Sequence, residues 1–95
     1  MSTEVIDRQD QHRYELLEDG KVVGYADYRP LSPDGSVLEF PHTVIDPSQR
    51  GRGLGEVLVE GAMADVRRRG AKVRPTCWFV ADWLTAHPDQ QDLLA

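Results

Sequence analysis

Residues 43–61 read TVIDPSQRGRGLGEVLVEG, and three kinds of local structure follow one another within them. The β-branched run Thr43-Val44-Ile45 suits a strand and stops at Asp46-Pro47. A polar turn rich in arginine and glycine follows, Ser48 to Gly55, and runs straight into an apolar pattern of helical period. Strand, glycine loop and helix in that order aim bare main-chain N–H groups and the positive end of a helix at an anion. Gly51, Gly53 and Gly55 have no Cβ, so the chain can approach a ligand closely and take positive φ. Arg50 and Arg52 add charge to those amides.

Spacing decides which anion. A Walker loop needs a lysine after its last glycine, and none follows here. The dinucleotide fingerprint G-x-G-x-x-G fails at Glu56 in one register and at Leu58 in the other. Arg50-x-x-Gly53-x-Gly55 after a strand resembles motif A of the GNAT acetyltransferase superfamily, R/Q-x-x-G-x-G/A. The resemblance implies a loop that holds the pyrophosphate of acetyl-coenzyme A through Arg50, Gly51, Arg52, Gly53, Leu54 and Gly55. It further implies that Thr43, Val44 and Ile45 pair their backbone with the pantetheine arm, which requires one edge of that strand to be free. The residues taken alone also admit a plain glycine-rich connector or a nucleotide-phosphate site.

Upstream, residues 1–11 are polar and are expected to be a loose lead-in, leaving 12–95 as a single domain. His12–Glu18 alternates as a strand, and Asp19-Gly20 marks a tight hairpin turn. Lys21–Arg29 is the return strand, with Val23, Tyr25 and Asp27 on one face and Val22 and Tyr28 on the other. A turn-rich loop leads to a third extended segment, Ser36–Ile45, where Pro41 predicts a bulge or an edge. Downstream, a helix over about Gly53–Arg69 carries Leu54, Val57, Leu58, Ala62 and Val66 on one face. Gly70 stands at its C′ position. Arg67-Arg68-Arg69 reads as cations complementing a helix C-terminus on a solvated face, in preference to a nucleic-acid patch. Ala71–Thr76 is a strand that a right-handed crossover makes parallel to 43–45. Trp78–His87 is a second helix offering Phe79, Val80, Trp83 and Leu84 to the core, and a short tail follows Pro88.

The whole is an α/β (α+β) chain with a mixed, mostly antiparallel sheet: hairpin, strand, helix, parallel strand, helix. That order is similar to the GNAT core from Tyr14 to Leu94, without the N-terminal strand and helix pair. The compact single-domain branch of that superfamily is resembled further in His42-Thr43, in Cys77-Trp78-Phe79-Val80 closing the last strand, and in His87-Pro88. Trp78 departs from it, since that branch has proline after the cysteine.

Composition narrows the partners. Ninety-five residues make one small domain, and a net charge of −5 disfavours nucleic acid and anionic membranes. No apolar run is long enough to span a bilayer, and the N-terminus is unlike a targeting peptide. A lone cysteine suits the cytoplasm, and the scattered His and Cys show no metal-ligand spacing. A monomer or weak homodimer is expected.

The chemistry centres on Cys77, at the end of a strand and the start of a helix, where a helix N-terminus favours thiolate. A thiolate there could carry an acetyl group between acetyl-coenzyme A and an amine, with His42 as the nearby base. The alternatives are a small buried apolar cysteine and a locally bonded His42. A backbone N–H from Val44 or a neighbour would stabilise the oxyanion. The function implied is acetyl-CoA-dependent N-acetyl transfer to an amine on a protein or peptide, either directly or through acetyl-Cys77. An acyl-CoA-binding module without turnover is the alternative from a different class.

Overall fold

Asp19 and Gly20 take φ of 51° and 84°, a two-residue turn of the mirror-image kind that matches strand twist. It folds β2 (Arg13–Glu18) back onto β3 (Lys21–Pro30) in the computed structural model, which describes residues 2–95. The other strands are β1 (Thr3–Arg8), β4 (Val37–Ile45) and β5 (Lys72–Pro75). They form one sheet in chain order, antiparallel except between β4 and β5. The helices are α1 (Leu54–Arg68) and α2 (Trp78–Ala86), and a 3-10 segment spans Pro88–Leu93. Among the described residues, no helix is long and apolar enough to cross a membrane.

The expected loose lead-in is a strand instead. Thr3–Arg8 pairs along its length with β2, from Thr3 opposite Glu18 to Arg8 opposite Arg13. Its polar composition hid it, because an edge strand needs only a few contacts: Val5 packs on α1, where a Cβ at Gly61 would meet it at 2.5 Å. The N-terminal strand expected to be missing is therefore present. Between β1 and β2 lies only the 3-10 turn Gln9–Gln11.

β3 corrects a second expectation. Its register on β2 moves from Gly24 opposite Leu16 to Val22 opposite Leu17, so Val23 is an extra residue in a bulge. Alternation restarts beyond it, and Ala26 and Tyr28 turn into the core while Tyr25 and Asp27 remain half-exposed. In α1 the buried residues are Leu54, Leu58, Val59, Ala62, Met63 and Val66, whereas Val57 is exposed. The helix is thus rolled toward Val59 and Met63. Each of these larger apolar side chains contributes roughly 1.5–3 kcal/mol by burial. They lie against Tyr14, Leu16, Leu38, Phe40 and Val73 of the sheet.

The end of α1 follows its sequence closely. Gly70 takes φ 72°, its N–H donates to Arg67 O, and Ala71 N–H donates to Val66 O. That is a Schellman ending, which satisfies two orphan carbonyls. The three arginines each meet an acid: Arg67 pairs with Asp92, Arg68 with Asp65 and Arg69 with Asp7. On the opposite side of the sheet from α1 runs a ladder of ion pairs, Arg8–Glu15, Arg13–Asp27 and Arg29–Glu39. No helix covers that face among the described residues.

Candidate functional site

β4 and β5 run side by side only from Val37–Lys72 to Phe40–Pro75. Thr76 N–H and Cys77 N–H then both donate to Phe40 O, at 3.3 and 2.9 Å. Past that point β5 turns into α2, while β4 continues to Ile45 against β3 alone. Pro41 and Pro75 stand at the fork, and neither has an N–H with which to keep the strands together. Between Asp27 opposite His42 and Arg29 opposite Glu39, β4 spends one residue more than β3. This is the bulge expected at Pro41.

Beyond the bulge the two edges of β4 can be assigned. Asp46 N–H reaches inward to Val23 O at 2.9 Å. Ile45 O points the other way, where Arg50 Nε donates to it at 3.4 Å. Strand alternation puts the main chain of Thr43 on the same outer edge as that of Ile45, and the main chain of Val44 on the β3 side. A free β-edge thus faces the fork.

A cavity of about 600 Å³ fills that space. One wall is β4, from His42 through Thr43 and Val44 to Ile45. The floor is the loop and first turn of α1: Arg50, Gly51, Gly53, Leu54 and Gly55. Cys77, Trp78 and Phe79 at the start of α2 close the third side. Gly51 and Gly53 hold φ of 87° and 75°, a conformation that a side chain would strain. Gly53 is the N-cap of α1 and no side chain caps it, so the first donors of the helix face the cavity end without an intrahelical acceptor. Gly55 is glycine for a packing reason, since a Cβ there would lie 2.7 Å from the Phe79 ring. Asp46 braces the approach to the loop: its carboxylate accepts from Ser48 N–H and Ser48 Oγ, which holds it below the usual carboxylate range.

Arg52 does not line the cavity. Its guanidinium holds both oxygens of Glu18, at 2.8 and 2.6 Å, and bonds Gln49 as well. Cys77 is the N-cap residue of α2, and its thiol donates to Thr43 Oγ1 at 3.6 Å. His42 is exposed, its ring 6.2 Å from that of Tyr25. Thr43 lies opposite buried Ala26, and His42 opposite half-exposed Asp27. Cys77 and His42 therefore border one cavity from opposite faces of β4. Phe79, expected in the core, is only half-buried and serves as cavity wall. Glu18, Glu56 and the wall role of Trp78 went unrecognised in the sequence. Glu18 sits 34 residues from Arg52, and no local signal links them.

Residues 13–93 match a family model described as GCN5-related N-acetyl-transferase. Protein NATD1 of Gallus gallus is 28% identical over 57 residues, 60% of this chain and 52% of that protein, so the chain spans about half the length of that relative. A GCN5-like protein of Staphylococcus aureus, solved in solution, has the same fold: the TM-score is 0.70 at 18% identity, over 97% of this chain and 87% of that one. YhbS of Escherichia coli, a GNAT-family N-acetyltransferase crystallised in complex with CoA, shares the architecture at a TM-score of 0.57 and 24% identity, over 66% of this chain and 38% of that one.

Proposed function

The chain belongs to the GCN5-related N-acetyltransferase family, and on that premise we propose that it transfers the acetyl group of acetyl-CoA to an amine. The observation that carries the proposal is the fork between β4 and β5: a free strand edge, a cavity, an amide-bearing glycine loop at one end and Cys77 at the other. The donors of this slot suit coenzyme A. The outer edge of Thr43 and Ile45 suits the amides of a pantetheine arm, and the α1 N-terminus with Arg50 suits a pyrophosphate. Acetyl-CoA supplies an acyl group already activated as a thioester.

The residues of the chain divide the remaining work. The Thr43 N–H, on the free edge, is the donor available to an oxyanion at the acyl carbonyl. Cys77, deprotonated, forms a bond from Sγ to the acyl carbon as the bond to the departing thiol breaks, and that thiol leaves with a proton. The acceptor amine then forms the C–N bond, Cys77 is released, and the amine proton passes to a base. Under this reading His42, on the bare face beside Tyr25, serves the amine and not Cys77. The uncovered sheet face leaves the acceptor side open, which suits an amine on a peptide or protein. The same openness favours, as a second reading, a CoA-binding module without turnover.

Intact mass after incubation with acetyl-CoA and no acceptor tests the scheme. A gain of one acetyl group in the wild type and none in Cys77→Ala supports the cysteine route. No gain, with calorimetric CoA binding intact, removes that route and leaves direct transfer. Failure of every amine tried would then favour the binding module.

A further inference from the structure

The groove between α1 and α2 leads away from the cavity, and its chemistry is unlike that of the cavity. Glu56, Trp78 and Phe79 belong to both the cavity and the near part of this groove, a pocket of about 220 Å³ that Asp82 and Trp83 complete. On the far side of Trp83 it continues as a second pocket of about 410 Å³ with Glu60, Arg67 and Asp89 at its walls. Trp78 is 74% exposed, the most exposed of the large apolar side chains among the described residues. Its ring is steadied edge-on by Phe79, with centroids 5.7 Å apart. Asp82, four residues on, shares its helix face.

Three acids along the groove have no partner of opposite charge among the described residues. Seven acids elsewhere are held by arginines: Asp7, Glu15, Glu18, Asp27, Glu39, Asp65 and Asp92. Glu56, Glu60 and Asp82 have neither ion pair nor hydrogen bond among the described residues. Glu56 and Glu60 repel each other at i,i+4 on one helix. Arg67, at the far end, is already gripped by both oxygens of Asp92. A phosphate-bearing ligand would be repelled along this path, whereas an exposed indole flanked by free carboxylates attracts alkylammonium and guanidinium groups.

We propose that the α1–α2 groove docks a lysine- or arginine-rich polypeptide segment, with Trp78 and Asp82 taking one cation and Glu60 another. Because the groove opens into the cavity at Glu56, such a segment would bring its own amines to the acetyl-transfer site. Only that last step rests on the acetyltransferase reading; docking itself is measured without acetyl-CoA.

The test is fluorescence anisotropy of a short labelled lysine–glycine peptide with the full chain, against a glutamate–glycine control of equal length. Binding of the lysine peptide alone is expected, weakened by added salt. Glu60→Gln with Asp82→Asn, and separately Trp78→Ala, should each weaken it about tenfold. All three side chains are exposed, so the variants are expected to fold. Equal binding of the two peptides, or unchanged affinity in the double variant, would overturn the assignment. Calorimetry of CoA on the Glu60→Gln, Asp82→Asn double variant, neither of whose residues lines the cavity, separates the two proposals. Unchanged CoA affinity beside lost peptide binding supports a distinct docking groove. Absent CoA binding beside intact peptide binding would sink the acetyltransferase reading and leave the groove standing.

Discussion

Arg52 grips Glu18 with both terminal nitrogens, Nη1 to Oε1 at 2.8 Å and Nη2 to Oε2 at 2.6 Å, and so ties the glycine loop to the end of β2. The hydrogen bond from Arg52 holds the Glu18 carboxyl below its ordinary value. We expect Glu18→Gln to weaken CoA binding about three- to tenfold through a loosened loop. Acetyl-pantetheine, which lacks the pyrophosphate, should bind both proteins equally in calorimetry; an equal loss for both ligands would refute a loop-specific effect. A depressed folded-state value stabilises the protein above the unfolded carboxyl pKa, and that stabilisation disappears as pH falls through the folded one. The acid limb of a melting-temperature profile should therefore be shallower in Glu18→Gln.

Arg50 is exposed, and its bond to Ile45 O is long at 3.4 Å, so little holds it away from a ligand. Arg50→Ala should weaken CoA about tenfold by loss of a charge-assisted contact, with melting temperature unchanged. Unaltered affinity in calorimetry would remove the pyrophosphate from this loop.

Thr43 Oγ1 accepts from the Cys77 thiol. In Thr43→Val the strand keeps its shape, and the deprotonated Cys77 loses the hydroxyl that would turn its hydrogen toward Sγ. Acetyl loading of Cys77, followed by intact mass, should slow about fivefold. Thr43→Ser should restore it, and a serine variant as slow as valine would show that the hydroxyl plays no part.

Gly55 faces Phe79 with no room for a methyl group. Gly55→Ala should cost about 1–3 kcal/mol in urea unfolding through overpacking at the α1–α2 contact. Adding Phe79→Leu should recover part of that loss. Additive losses in the double variant would locate the strain elsewhere.

Tyr14 donates to Asp65 Oδ2 at 2.6 Å, and Tyr28 donates to Asp7 Oδ1 at 2.7 Å. Arg69 reaches both clusters through Tyr14 Oη and Asp7. Burial, foremost, pushes both phenols up to about 12. A raised value means the neutral phenol is favoured in the fold, so its stabilisation is full below the ordinary tyrosine value near 10 and is lost as pH climbs toward 12. Denaturant titrations across that interval should show stability falling, less steeply in Tyr14→Phe. At neutral pH that variant should lose about 1–2 kcal/mol with the hydrogen bond to Asp65.

What could be read from the chain was whatever adjacent residues decide together. Asp19-Gly20 determined the hairpin, because few other pairs tolerate two successive positive φ angles. Thr43-Val44-Ile45, the glycine loop and the period of α1 determined the strand–loop–helix unit, and Gly70 its end. Pro41 announced the bulge. Each of these rests on local sterics and hydrogen bonding, which a short segment carries with it wherever it folds.

Tertiary structure decided the rest, for reasons of distance and parity. β1 exists because β2 and α1 offer it a partner and a surface, while its own residues are mostly polar. The bulge at Val23 reversed which face Tyr25 and Tyr28 occupy, since one extra residue inverts every side chain after it. Strand alternation likewise separated His42 from Cys77 across β4, and it put the main chain of Thr43, the neighbour of Val44, on the free edge. Arg52 was drawn to Glu18, away from the cavity, by a strand end that no local pattern brings near it. Sequence determined that the chain has a glycine loop on a strand–helix joint; only the folded sheet decided which atoms face the cavity that the loop lines.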